Sequence, residues 1–118
     1  MRMTSAEYKQ LMAKKQKPNK YHNVKTEVDG ISFDSRAEAR RYGELKLLQQ
    51  AGEIKGFMLQ PSFSLPGGIR YRPDFMVCNA DGTVWVEDVK GMETKEFKIK
   101  KKLWEAQYPW LELRLIKS

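Results

Sequence analysis

One cysteine, Cys78, and one histidine, His22, are all that this 118-residue chain holds of those two residue types. A lone cysteine excludes an intramolecular disulfide framework and argues against a Cys-rich zinc site. No apolar run approaches the roughly 20 residues needed to span a bilayer. The N-terminus, MRMTSAEYKQ, lacks the apolar stretch of a secretory signal. A cytoplasmic protein with no membrane partner is therefore expected. Acidic residues are also in the minority, 15 against 22 lysines and arginines, for a net charge of +7. That balance suits nucleic acid, anionic lipid or an acidic protein as a partner. Its distribution is uneven. Residues 9–25 carry Lys9, Lys14, Lys15, Lys17, Lys20 and Lys25 with no acid among them, and Lys95, Lys98, Lys100, Lys101 and Lys102 form a second cluster. The carboxylates concentrate between the two.

The length suits one ordinary domain. Residues 1–20 read as a basic arm, expected to be mobile or to order on a partner, or to serve only as a solubilising tail. Residues 21–118 read as a single domain. KTEVDGISF suggests a small hairpin turning at Asp29-Gly30. Ser35 is a candidate N-cap, with Glu38 three residues on, for a helix that ends at Gly52 and buries Tyr42, Leu45 and Leu48. Three strands are expected next, at 54–65, 69–78 and 83–90, with Pro66-Gly67-Gly68 and Asn79-Ala80-Asp81-Gly82 as turns. TKEFKIKKKLWEAQ reads as a basic helix, and WLELRLI as a closing strand with Leu111, Leu113 and Leu115 on one face. The order helix, three-strand meander, helix, strand predicts an α/β fold, with a mixed central sheet flanked by helices.

Two acids stand out in that plan. Asp81 lies midway between Asp74 and Asp88, so a short turn there sets the two aspartates opposite each other on antiparallel strands, with Cβ atoms about 5 Å apart. A slip of one residue would put them on opposite faces. Like charges so close need a proton or a cation between them, and hard oxygen ligands at that spacing suit Mg²⁺ or Mn²⁺. Strand alternation puts Lys90 on the face of Asp88 and turns Glu87 the other way with Trp85 and Val89. Glu38 lies on the buried stripe of its helix, yet Ser35-x-x-Glu38 equally satisfies a capping box. A surface ion pair between Asp88 and Lys90, worth roughly 0–1 kcal/mol, is the plain alternative for that triplet.

Pro73-Asp74 followed by Asp88-Val89-Lys90 resembles the PD-(D/E)xK nuclease signature. The ordered blocks FDSRAEARRYGEL, LQPSFSL, IRYRPDF, VEDVKG and FKIKKKLW are similar to small phage-encoded, Holliday-junction-resolvase-like nucleases of that superfamily. Transposon-end nucleases show similar spacing. The resemblance covers roughly residues 20–117. It implies a restriction-endonuclease-like core and Mg²⁺- or Mn²⁺-dependent hydrolysis of DNA phosphodiesters, in phage recombination or DNA processing. By position it implies Glu38, Asp74 and Asp88 around the metal, with the Val89 carbonyl, Lys90 as catalytic lysine, and Gln60 positioning a ligand or water. Gln60 reads equally as a polar residue at a strand bend. The acid before Lys90 is Asp where many relatives have Glu, which leaves Glu87 in question.

The basic residues Lys95, Lys98, Lys100, Lys101 and Lys102, with Lys20 and Lys25, would then grip the DNA backbone, without reading sequence and with strong salt dependence. Branched or junction DNA is the expected substrate, and two cuts in a near-symmetric junction imply a homodimer. The alternatives are a nicking, end-processing or transposon-end nuclease of the same fold, and a catalytically silent nucleic-acid-binding relative. His22 reads as a surface or DNA-contacting residue, and Cys78 as a small buried hydrophobe.

Overall fold

A computed structural model of the chain describes residues 24–118. The expectations placed on residues 1–20, including Lys20, and on His22 lie outside these residues. The first described element is the hairpin of β1 (Thr26–Val28) and β2 (Ile31–Phe33). Asp29 and Gly30 both adopt positive φ, at 53° and 76°. That is the backbone a two-residue turn needs to match strand twist, and Asp-Gly tolerates it.

Helix α1 (Arg36–Gln50) starts where Ser35 Oγ accepts the Glu38 N–H at 3.1 Å. It stops at Gly52, whose φ of +79° lets the N–H groups of Gly52 and Glu53 turn back onto the carbonyls of Gln49 and Leu48. The strands that follow depart from the expectation. The stretch 54–65 is two strands, β3 (Ile54–Leu59) and β4 (Phe63–Leu65), and 69–78 is also two, β5 (Ile69–Tyr71) and β6 (Phe75–Asn79). Each break falls beside a proline, Pro61 or Pro73, which has no N–H to give a ladder. Gln60 adds a φ of +48° at the first break. β4 and β5 pair with each other as a separate hairpin.

The remaining elements follow the sequence closely: β7 (Val84–Lys90), α2 (Lys95–Gln107, capped by Thr94) and β8 (Glu112–Lys117). The central sheet runs β3-β6-β7-β8, with β7 and β8 parallel and the other pairs antiparallel. The described residues thus make a mixed α/β fold with two helices. Neither is long and apolar enough to cross a membrane.

The sheet separates two apolar clusters. On one face α1 and the first hairpin bury Phe33, Tyr42, Leu45, Phe75 and Val77. On the other, α2 and the β4–β5 hairpin bury Leu65, Tyr71, Val86, Phe97, Trp104 and Leu113. Trp104 is core, whereas Trp110 is 76% exposed. Cys78 is half-buried.

Glu87, fully buried, joins the sheet to α1. The Arg41 guanidinium meets it with two parallel bonds, Nε to Oε1 at 2.8 Å and Nη2 to Oε2 at 2.6 Å, and Trp85 Nε1 donates to Oε2 at 2.8 Å. This fork geometry is the strongest an arginine–carboxylate pair offers, and it holds the Arg41 proton more tightly than in water. Removing the cation leaves a buried charge alone. Arg41→Ala is therefore expected to cost about 3–5 kcal/mol, read as a lower urea midpoint with an unchanged slope.

Candidate active site

The β6–β7 register pairs Phe75 with Glu87, Met76 with Val86 and Val77 with Trp85. This is the register predicted from the position of Asp81. Asp74 itself sits just before β6, and there the ladder slips: its N–H donates to the Glu87 carbonyl at 2.9 Å. Its carboxylate turns to β7, where Oδ2 accepts the Val89 N–H at 2.7 Å. The N–H and C=O of one residue lie on the same side of a strand. The Val89 carbonyl therefore also faces the gap beyond the end of β6.

Asp88 and Lys90 share the other side-chain face of β7, as alternation requires, with Lys90 Nζ 3.6 Å from Asp88 Oδ2. Glu87 is settled by its partners. Arg41 and Trp85 occupy it on the opposite face, so Asp88 is the acid that belongs with Lys90. Glu38 enters from the first turn of α1. Ser35 caps through Glu38's backbone N–H, while the Glu38 side chain lines a cavity of about 360 Å³ with Asp74, Asp88, Val89 and Lys90. The cap and the cavity use different parts of one residue.

Three carboxylates are thus nearly buried together: Glu38, Asp74 and Asp88 are 9%, 8% and 5% exposed. Burial pushes the Asp74 carboxyl up to about 9, helped by its hydrogen bond with Asp88 and by the charges of Glu38 and Asp88, against the pull of the Val89 N–H. The donor set is all oxygen, hard and short of positive charge, which fits Mg²⁺ or Mn²⁺. Among the described residues no three acids are already drawn together as metal ligands. Asp74 Oδ2 is turned to the Val89 amide, and Asp88 Oδ2 to the Tyr71 hydroxyl.

A family profile described as "Protein of unknown function (DUF1064)" matches residues 18–118. The chain belongs to the DUF1064 family. No curated protein matches it. The DUF1064 match contains every residue that lines the cavity, and of the Lys-rich N-terminal stretch it takes in only Lys20 and Lys25.

Within this DUF1064 chain the other predicted residues are dispersed. Gln60 lines a smaller neighbouring cavity of about 120 Å³, which shares Glu38 and Asp74 with the main one. Its N–H donates to the Asp74 carbonyl. Lys95, Lys98 and Lys102 are exposed on α2, Lys101 is half-buried there, and Lys25 is exposed just before β1. Lys100 is less exposed than Lys95, Lys98 and Lys102. It lies on the wall of the main cavity, 15% exposed, with Nζ 3.1 Å from Glu96 and 5.5 Å from the centre of the Tyr71 ring. Helical spacing carried that signal, since Lys100 falls between the buried Phe97 and Trp104 on one stripe. Asp34, Tyr71 and Arg72 also line the cavity, and no periodicity marks them.

An acid whose folded pKa is raised costs stability above its unfolded pKa. That cost grows as pH climbs from the ordinary aspartate value of 3.8 toward about 9. Asp74→Asn keeps an acceptor for the Val89 amide and cannot ionise in either the folded or the unfolded chain. In a chelator it is expected to melt above the wild type at neutral pH, with the gain vanishing below pH about 4. Melting curves across that range check it.

Proposed function

We propose that the chain is a divalent-metal-dependent DNA endonuclease on a restriction-endonuclease-like core, cutting branched DNA such as four-way junctions as a homodimer. The observation that carries this reading is the convergence of three buried carboxylates and Lys90 on one polar cavity, beside a lysine-rich helix. A structural acid such as Glu87 is evenly paired with Arg41, whereas Asp74 and Asp88 need a proton or a cation between them.

Asp74, Asp88 and Glu38, with the Val89 carbonyl, would hold Mg²⁺ or Mn²⁺, which when bound polarises the scissile phosphate and acidifies a water. Lys90 supplies positive charge on the cavity wall. Its side chain is one-third exposed and can reach a phosphate oxygen while still facing Asp88. There it offsets the charge that builds on the phosphate during attack. Lys95, Lys98 and Lys102 are exposed on α2, the helix whose Lys100 lines that cavity, and suit contact with the DNA backbone, which binds without reading sequence. Nothing on α2 presents a set of groups for base edges. A preference for DNA shape follows, and paired cuts in a two-fold junction call for two copies of the site.

The test is cleavage of a synthetic four-way junction and a matched linear duplex, with Mg²⁺, Mn²⁺ or a chelator. Paired, metal-dependent nicks in the junction are expected. Lys90→Ala should slow them by about 10²–10³-fold, and Asp88→Ala should abolish them. Equal cutting of both substrates removes the junction preference. Intact DNA with either metal, despite salt-sensitive binding, removes the nuclease.

A further inference from the structure

The β4–β5 hairpin stands outside the central sheet, and its last residue reaches the candidate site. Tyr71, 3% exposed, ends β5, and its hydroxyl donates a hydrogen bond to Asp88 Oδ2. The ring is held on two sides. Trp104 meets it edge-on, with centroids 6.0 Å apart at 83°, and the Lys100 ammonium lies 5.5 Å from its centre, itself tied to Glu96. The phenol therefore meets Asp88 from a fixed direction.

A tyrosine that serves only packing has cheaper partners. Tyr108, in the same apolar cluster, gives its hydroxyl to the Ser64 carbonyl at 2.7 Å. Tyr71 instead meets a buried carboxylate that already crowds Asp74. Its contact and that of Lys90 both fall on Oδ2 of Asp88, so Oδ1 carries neither.

We propose that Tyr71 is a positioning residue: it pins Asp88 by Oδ2 so that Oδ1 is presented to the divalent cation. The inference rests on the metal-dependent reading above and adds the group that orients one of its ligands. Carboxylates that bind metals are commonly hydrogen-bonded in turn, and losing such a partner typically costs 10–100-fold in affinity or activity.

The experiment is calorimetric titration of the full chain with Mg²⁺, without DNA, comparing wild type with Tyr71→Phe. Weakening of Mg²⁺ binding by about 10-fold or more is expected. Unchanged affinity, with or without a lower melting temperature, overturns the role of Tyr71 and leaves the Asp74–Asp88 site standing. A wild type that binds neither Mg²⁺ nor Mn²⁺ overturns both. Should Tyr71→Phe not fold, the ultraviolet absorption of the native protein's tyrosines is recorded as Mg²⁺ is added. A shift of the band as Mg²⁺ saturates the site supports the contact, and a band unmoved by saturating Mg²⁺ overturns it.

Discussion

The ladder between β6 and β7 cannot continue past Phe75, because the next residue due to bond there is Pro73. In the β6–β7 register residue 73 would face Val89, and a proline has no N–H to offer the Val89 carbonyl. The side chain of Asp74 takes over instead, accepting the Val89 amide. The missing N–H leaves the Val89 carbonyl facing the gap without its ladder donor, and the slip at Asp74 brings that carboxylate to the Val89 amide. Pro73 is itself fully buried, which holds the break in place. The rest of the candidate site is assembled around that gap.

Adjacent residues of β7 show two treatments of buried charge. Glu87, on the α1 face, has a guanidinium fork and an indole N–H, and it reads as a structural tie. Asp88, on the α2 face, has a phenol and an ammonium at 3.6 Å while sharing its surroundings with Asp74 and Glu38. Burying an ion is tolerable when geometry and hydrogen bonds compensate for lost water. The first acid meets that condition within the protein. The second does so only in part, and such a deficit is what a ligand-binding site looks like.

The two helices divide the work. α1 brings Glu38 to the cavity, and the Arg41–Glu87 pair, one turn on, fixes that end of the helix to β7. α2 brings Phe97 and Lys100 to the opposite wall, with its remaining lysines facing outward. Positive charge is thus placed beside an acidic cavity, which the function proposed above would use to hold the DNA backbone next to a metal ion.

The sequence by itself determined whatever depends on near neighbours along the chain. The Asp29-Gly30 turn, the Ser35 cap, the stop at Gly52 and the register of Phe75–Cys78 against Val84–Glu87 about Asp81 all follow from local dihedral preference and strand alternation, whereas the slip at Asp74 does not. So did the mixed sheet, since a helix between β7 and β8 permits a parallel pair. Only the tertiary structure decided what crosses long spans. Arg41 meets Glu87 from 46 residues away, and Tyr71 reaches Asp88 because a hairpin folds out of the sheet and back onto it. Two strands also broke where a single apolar pattern ran through, since hydrophobic alternation does not record a lost N–H or a positive φ. Alternation states which way a side chain points. Which distant group waits there is set by how the layers pack.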